Sequence, residues 1–299
     1  MPESGVADLT HGDVLRYEEM LRVTAAACRL GIRKIRVTGG EPLVRRGIVD
    51  FIGRLAGLPE KPEITLTTNG LLLAELAEEL KAAGLARVNI SLDTLRPERF
   101  EELTRRSGLE KVLAGIEAAE RVGMLPIKLN VIPFAGFNAD EIVDFARLTL
   151  DHPLDVRFIE FMPISADLEY ASKDGMPIIE VESRLRTLGE LEALSHQVSS
   201  GPAQMYRLPG AKGRVGLIPS VSGHFCGDCN RLRVMADGRV RGCLFDNEET
   251  DLKTVLRDGS DDQALEDLLV AAACAKPEKH KINGKDFMTP SRRMHGIGG

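Results

Sequence analysis

The sequence predicts an α/β protein in which a parallel sheet is covered by helices. Through the first half of the chain, short runs of β-branched and apolar residues alternate with longer amphipathic stretches, as expected where strands and helices follow one another in turn. The 299 residues are 43% hydrophobic and 28% charged, so the chain can bury a large core. This alternation fits either a barrel-like sheet or a doubly wound one.

Five strands and five helices are predicted in this half. The strands are short and rich in apolar residues, at residues 34–38, 64–68, 87–92, 127–131 and 155–161. The helices have apolar residues at helical spacing, at residues 17–30, 47–56, 71–83, 109–122 and 140–150. Asn138 and Glu141 stand three positions apart just before the last helix, which predicts a capping box at its start.

The alternation stops near Pro163, and the chain after it is irregular. We therefore expect two regions, a barrel part over residues 1–165 and a smaller α+β region over residues 166–299. In the second region the sequence predicts strands at 203–208 and 214–219 and a helix at 262–275.

Charge and composition narrow the class of protein. A net charge of −6, a pI near 5.7 and an aromatic content of 4% argue against nucleic-acid binding. No apolar run has the length of a membrane span, and the N-terminus lacks the pattern of a signal peptide. The five cysteines are then expected to be reduced thiols in the cytoplasm. Cys28 and Cys274 lie singly in apolar helical stretches, where a packing role is expected.

Cys226, Cys229 and Cys243 form the most specific motif of the chain. The first two are spaced to bind one metal, and thirteen residues separate Cys229 from the third. This arrangement suits an iron-sulfur cluster or zinc. Three thiolates leave one coordination position open for a substrate. The alternative is a closed zinc site in which His224 is the fourth ligand.

Cations accompany this motif. Arg231 and Arg233 would point to one face if residues 230–235 form a strand, which predicts an anionic ligand there; a solvated strand face is the alternative. Lys128 and Arg157 lie within predicted buried strands, where charge is unfavourable without a ligand.

Polar and glycine residues follow the predicted strands at their carboxyl ends, where such folds place their active sites. The pair Gly39 and Gly40 would let backbone groups approach a ligand closely, unless it marks a turn without function. Glu41 beside it could accept a hydrogen bond from a cationic amine.

Seven motifs, taken together and in order along the chain, resemble the MoaA family, the radical S-adenosylmethionine (SAM) enzymes that act as GTP 3',8-cyclases in molybdenum cofactor biosynthesis. The motifs are TGGEP from Thr38, TTNG from Thr67, NISLD from Asn89, RFIEFMP from Arg157, CGDCNRLR from Cys226, CLF from Cys243 and the terminal Gly-Gly. The cysteine motif with its two arginines is far more specific than GGEP, which many radical SAM enzymes share.

The resemblance implies a fold and a cofactor. The first region would be a partial TIM-type (β/α) barrel of the radical SAM kind, and the second would carry a 4Fe-4S cluster on Cys226, Cys229 and Cys243. The open iron of that cluster would bind the guanine end of GTP, and the enzyme would convert GTP to a cyclic pyranopterin precursor by radical chemistry.

Site residues follow from the resemblance by position. GTP would be bound by a set of cationic and neighbouring residues, namely Arg36, Thr67, Lys128, Arg157, Arg231, Leu232 and Arg233. SAM would contact Gly40, Ser91 and Met162, and the tail ending in Gly298 and Gly299 would enter the active site as catalytic residues. A functionless, frayed tail is the alternative for the last two.

The chain departs from the family in one respect. The family holds its N-terminal 4Fe-4S cluster on a Cys-x3-Cys-x2-Cys motif, and these 299 residues contain no such motif. The opening from Met1 resembles the residues that follow the third of those cysteines, so we expect an N-terminally truncated chain whose first barrel strand is missing. The alternative function is then a catalytically dead GTP- or cluster-binding fragment. The resemblance also allows a homodimer and implies the pathway's pyranopterin monophosphate synthase protein as a downstream partner.

Overall fold

The computed structural model describes residues 12–162, 164, 175–195, 201–223, 225–280, 282, 289–292 and 294–297. Its strands are β1 Lys34–Val37, β2 Glu63–Thr68, β3 Arg87–Ser91, β4 Ile127–Val131, β5 Leu154–Ile159, β6 Glu192–Ala193, β7 Gln204–Arg207, β8 Arg214–Ile218, β9 Arg233–Val234, β10 Arg239–Arg241 and β11 Thr250–Asp251. Its helices are α1 Tyr17–Arg29, α2 Ile48–Ala56, α3 Leu73–Ala82, α4 Pro97–Thr104, α5 Leu109–Arg121, α6 Ile142–Asp151, α7 Ile178–Leu185, α8 Lys253–Arg257, α9 Asp262–Cys274 and α10 Met294–Ile297.

Eight strands form one sheet in the order β1-β2-β3-β4-β5-β8-β7-β6. The first five and β8 are parallel, while β7 and β6 complete the sheet in antiparallel fashion. Strands β1 to β5 stand in the sheet in the same order as in the chain. Because the helical crossovers between parallel strands are right-handed, the connecting helices then lie on one face of the sheet. The predicted α/β class is confirmed, and this winding favours a partial barrel over a doubly wound sheet. The sheet is open across the part of the chain described, with β1 and β6 at its edges.

The main core lies between the sheet and these helices. Alternate residues of the central strands, such as Ile90, Leu129 and Phe158, are buried and face helical side chains such as Ile52 and Phe145. Strands alternate faces with a period of two, so the same strands direct their other residues to the opposite, concave face. That second face is where the polar residues lie.

A second core joins α1 to the C-terminal region. Leu15 and Val23 pack with Val240 on β10 and with Leu265 and Leu269 on α9. A small antiparallel sheet, ordered β11-β10-β9, lies beside this core and leads into the cysteine motif. The cysteine loop is thereby fixed to the same body as α1.

The large sheet extends beyond residue 165. Strand β8 pairs with β5 in parallel, with Phe158 opposite Leu217 and Ile159 opposite Ile218. The division of the chain into residues 1–165 and 166–299 stays a prediction, but both parts contribute strands to one sheet. Pro163 itself lies outside the described residues.

The predicted capping box at Asn138 is wrong. Its side chain accepts a hydrogen bond from the Phe134 N–H at 2.7 Å and donates to the Ile132 carbonyl at 2.9 Å. The Glu141 carboxylate accepts from the Leu95 N–H at 2.6 Å instead of reaching back to Asn138. A 3-10 turn, Ala139–Glu141, precedes α6. Both side chains are used to hold loops, and a local sequence pattern does not show such distant partners.

No helix among the described residues combines the length and the apolar character needed to cross a membrane.

Candidate functional site

The concave face of the large sheet carries a row of polar side chains. Residues paired across neighbouring strands point to the same face, and one such row runs through Thr67, Asn89, Lys128, Asp155 and Arg214. Within it, the Asn89 amide donates to the Thr67 hydroxyl at 3.2 Å. The apolar core therefore occupies one face of the sheet, and a polar surface suited to a charged ligand occupies the other.

Besides Arg214, four cations of the described strands share this surface, namely Arg36, Arg87, Lys128 and Arg157. Lys128 and Arg157 are only 5% and 6% exposed. Burial, together with the charge of Arg157, lowers the pKa of Lys128 to about 7. Burial also lowers the pKa of Arg157 to about 10. Arg36 is exposed to solvent on β1, and desolvation by its surroundings together with the charge of Arg231 lowers its pKa in the same direction. The charged forms of Arg36, Lys128 and Arg157 are thus destabilised by desolvation and by neighbouring cations, and a bound anion would relieve this effect.

Carboxylates balance only part of this charge. Asp155 accepts two hydrogen bonds from Arg214, at 2.7 and 2.9 Å, and its Oδ2 lies 3.7 Å from Arg157 Nη2. Glu63 pairs with Lys34 at 3.2 Å and with Arg87 at 2.5 Å. Asp155 and Glu63 are therefore already paired with cations. The positive charge of the surface that remains unbalanced lies between these two carboxylates.

The cysteine motif forms a compact loop. Cys226 begins a 3-10 turn, and the Cys229 N–H donates to the Cys226 carbonyl at 3.0 Å. Cys243 follows β10, and all three thiols are free and partly buried. Burial raises the pKa of the Cys229 thiol, but Arg231 and Lys276 outweigh it and bring the pKa down to about 7. Cys229 is therefore substantially a thiolate at neutral pH, the form that binds metals.

The three thiols are donors of the type that binds an iron-sulfur cluster, although the structure does not gather their side chains into a metal-binding group. Burial raises the pKa of the Cys243 thiol, and the charge of nearby Cys226 raises it further. Arg233 lies close enough to Cys229 and Cys243 for the charges of both thiols to affect its own pKa. No three His, Cys, Asp or Glu side chains in the described part of the chain form a group that could hold a metal ion. His224, the fourth ligand of the zinc alternative, lies outside the described residues.

The cysteine loop and the concave face meet through their arginines. Burial lowers the pKa of Arg233 to about 10, and the charges of Arg231 and Arg36 contribute. Arg36 on β1 is therefore a close neighbour of the two loop arginines, although about 200 residues separate them in sequence. The Arg231 guanidinium also lies 5.2 Å from the centre of the Phe225 ring, within the range of a cation–π contact. The structure brings these three predicted arginines together.

The remaining predicted residues lie around this surface. Leu232 is partly buried and packs against the second core. Gly40 and Ser91 are exposed, after β1 and at the end of β3. A Cβ added to Gly40 would meet open space, which leaves room for a ligand there. Met162 packs partly into an apolar cluster with Cys243 and Ile297. Gly298 and Gly299 lie outside the described residues.

Glu41 has a different environment from the one expected. Its Oε1 accepts from the Thr68 hydroxyl at 2.7 Å and from the Leu43 N–H at 3.0 Å, and its Oε2 accepts from the Asn69 N–H at 2.7 Å. These bonds join the loops that follow β1 and β2. The carboxylate therefore fixes two strand ends relative to each other, and a ligand amine would have to share it.

Three residues of the site were not predicted from the sequence. Arg87 alternates with Asn89 on β3 and could have been found from that alternation. Asp155 was placed in a strand, but its pairing with Arg214 depends on the register of β5 and β8. Lys276 donates to the Cys229 Sγ at 3.3 Å, and no local pattern connects residues 47 positions apart.

Comparisons with known proteins identify the family of the chain. Residues 5–149 match the family model of the radical SAM superfamily, and residues 154–282 match that of Molybdenum Cofactor Synthesis C. A GTP 3',8-cyclase of Syntrophomonas wolfei is 47% identical over 300 residues, with 100% of this chain and 92% of the relative covered.

Two further relatives carry the same name. The protein of Alkaliphilus metalliredigens is 46% identical, with 100% of this chain and 92% of the relative covered, and that of Geobacter sulfurreducens is 45% identical, with 100% and 91% covered. Identity at this level over the whole chain confirms the resemblance that the motifs indicated. The chain belongs to the GTP 3',8-cyclase family, a branch of the radical SAM superfamily.

Proposed function

We propose that the protein is a GTP 3',8-cyclase, which converts GTP to a cyclic pyranopterin precursor in the first step of molybdenum cofactor biosynthesis. One observation supports the proposal most directly. Arg36 lies near Arg231 and Arg233, beside the free thiols of Cys226, Cys229 and Cys243. The names of the relatives at 44–47% identity support the substrate and the reaction.

The cations would bind the triphosphate. Arg36, Lys128 and Arg231 present donors to one surface, with Arg157 and Arg233 beside them, and guanidinium groups bind phosphate oxygens in a bidentate manner. A charge-assisted hydrogen bond of this kind contributes about 1.5–3 kcal/mol. The mutual repulsion of the cations would be relieved by the same anion, and Thr67 would add a neutral contact.

The cysteines and the strand ends would hold the cofactors. Cys226, Cys229 and Cys243 would bind a 4Fe-4S cluster, and Gly40, Ser91 and Met162 would contact SAM. When bound, the cluster would supply an open iron for the guanine end of GTP. SAM would supply the radical that starts the reaction on one-electron reduction by the N-terminal cluster of the family, whose Cys-x3-Cys-x2-Cys ligands are not among these 299 residues. Gly298 and Gly299 would complete the site from the tail.

Anaerobic reconstitution tests the cluster. With iron and sulfide, these 299 residues should take up about four irons per chain through the three cysteines. Cys226→Ser should abolish that uptake. The matched control is Cys274→Ser, since Cys274 is an exposed free thiol on α9. Equal iron content in both variants would show that the cysteine loop is not the cluster site.

A second candidate is a GTP- and cluster-binding chain without turnover. One observation favours it: the five cysteines include no Cys-x3-Cys-x2-Cys motif. Incubation of the reconstituted chain with SAM, a reductant and GTP separates the two functions. Formation of 5'-deoxyadenosine and of the cyclised product supports the cyclase, whereas GTP binding without either product supports the second candidate.

We also propose a cytoplasmic location and a downstream partner. The free thiols of the cysteine loop suit a reducing compartment, and the product of the proposed reaction would pass to a pyranopterin monophosphate synthase. A homodimer is the proposed assembly, and sedimentation of the reconstituted chain tests it.

A further inference from the structure

Lys276 connects the end of α9 to the cysteine loop. Its ammonium group donates to the Cys229 Sγ at 3.3 Å, to the Arg231 carbonyl at 3.4 Å, and to the Cys229 carbonyl. An ammonium has three N–H donors, so all three are directed to this loop. The side chain is partly buried, which makes its charge more effective than that of a fully exposed lysine.

The helix that carries Lys276 is firmly placed. Leu265, Leu269 and Ala272 on α9 are buried in the second core, and Arg22 on α1 is paired with Asp262 at 2.7 Å. Lys276 follows the end of this helix, so its position does not depend on a free loop.

Gly242 permits the approach. A Cβ added there would lie 3.1 Å from the Lys276 Cβ and 3.2 Å from the Ala272 carbonyl oxygen, which is closer than side chains normally pack. The glycine directly before Cys243 thus lets the end of α9 pack tightly against the cysteine loop.

We infer that Lys276 is a positioning residue of the cysteine site: it holds the Cys229 side chain and the Arg231 backbone in place, and its charge tunes the cluster that the three cysteines bind. The inference rests on the proposed function, because it requires that cluster. Hydrogen bonds and positive charge near cluster sulfurs stabilise the more negative, reduced state and so raise the reduction potential. The link to Arg231 connects the same lysine to the proposed triphosphate contact.

The test measures the midpoint potential and the iron retention of the anaerobically reconstituted full chain. Lys276→Met should shift the potential in the negative direction, and a chelator should remove its iron about 10-fold faster, the usual size of a loss in the outer shell of a metal site. Lys276→Arg keeps the charge and should restore most of both properties. Lys279→Met, which removes a nearby exposed lysine, is the matched control.

Gly242→Ala is a second variant that keeps every charge and every cysteine. Its methyl group should push the end of α9 away and shift the potential in the same direction as Lys276→Met, by a smaller amount. If Lys276→Met and Lys279→Met have the same potential and the same rate of iron loss, the inferred role of Lys276 is wrong and the proposed function still stands. A wild-type chain that takes up no iron overturns the proposed function as well.

Discussion

Lys128, on the concave face, is a buried cation that lowers the stability of the ligand-free protein and would help to bind an anion. It is 5% exposed, and burial together with the charges of Arg157 and Arg87 lowers its pKa to about 7. In the unfolded chain the pKa is near 10.4. The folded state therefore binds fewer protons than the unfolded state between pH 7 and 10, so the cost of the buried charge is largest below pH 7 and falls as the pH rises.

We predict that Lys128→Met stabilises the ligand-free protein at pH 6 because it removes a buried cation. The gain in the free energy of unfolding should shrink between pH 7 and pH 10, where wild-type Lys128 loses its proton on folding. Urea unfolding at pH 6 and pH 9.5 measures both values, and Lys111→Met, on the exposed side of α5, is the control. A gain that does not change with pH would contradict the assignment of this pKa.

At the scale of elements, the strand-end loops are held by close helix packing. Gly115 lies in α5, and a Cβ added to it would be 2.9 Å from the Gly70 carbonyl oxygen and 3.1 Å from the Leu73 Cβ. Gly70 follows Asn69 in the loop after β2, the strand that carries Thr67. The absence of a side chain at residue 115 thus lets α5 pack directly beneath this loop.

Gly115→Ala should therefore destabilise the protein by about 1–3 kcal/mol, the usual cost of overpacking. Gly136→Ala is the matched control, because its added Cβ would meet nothing within 4 Å. Chemical denaturation of both variants measures the difference. Equal stability of the two would show that α5 can move without cost.

The elements were largely predictable because strand and helix periodicities are local. The strand at residues 127–131 was predicted with the bounds of β4, and α1 ends one residue before its predicted end. The helices α4 and α7 were missed, and so were the short helices α8 and α10. Helix α4 has few apolar positions, since Phe100 is its one buried residue, and α7 follows an irregular segment. The pairing of β8 with β5 depends on contacts distant in sequence, which periodicity does not encode.

At the scale of the whole molecule, charged pairs tie α1 to the C-terminal region. Glu19 on α1 is 4% exposed and accepts from Arg257 at 2.8 Å. The hydrogen bond from Arg257 is the main cause that lowers the pKa of Glu19 to about 2. Because the folded pKa lies below the unfolded value near 4.3, this carboxylate stabilises the fold above about pH 4.3 and loses its effect as the pH falls toward 2.

Glu19→Gln should lower the free energy of unfolding at pH 7 by about 1.5–3 kcal/mol, the range for hydrogen bonds to charged groups. The loss should become smaller at pH 3. Urea unfolding at the two pH values measures it, with the exposed Glu117→Gln as control. A loss of the same size at both pH values would contradict the ionic role of Glu19.

The candidate site was predictable only in part. The cysteine motif gave Arg231 and Arg233, and the family resemblance gave Arg36 and Lys128 by position. The structure brings the three arginines together. The partners of these residues, such as Lys276 at Cys229, depend on how α9 packs against α1. That packing joins segments about 240 residues apart, and a single sequence does not reveal it.

The concave face of the sheet and the cysteine loop are proposed to form one GTP site. Calorimetric titration of GTP into the reconstituted chain tests this proposal with Arg36→Ala from β1, Arg231→Ala from the loop, and the exposed Arg147→Ala as control. Each of the first two variants should lose about ten- to a hundredfold in affinity, as expected for one charge-assisted phosphate contact, and the control should bind like the wild type. Unchanged affinity in either Arg36→Ala or Arg231→Ala would contradict a shared site.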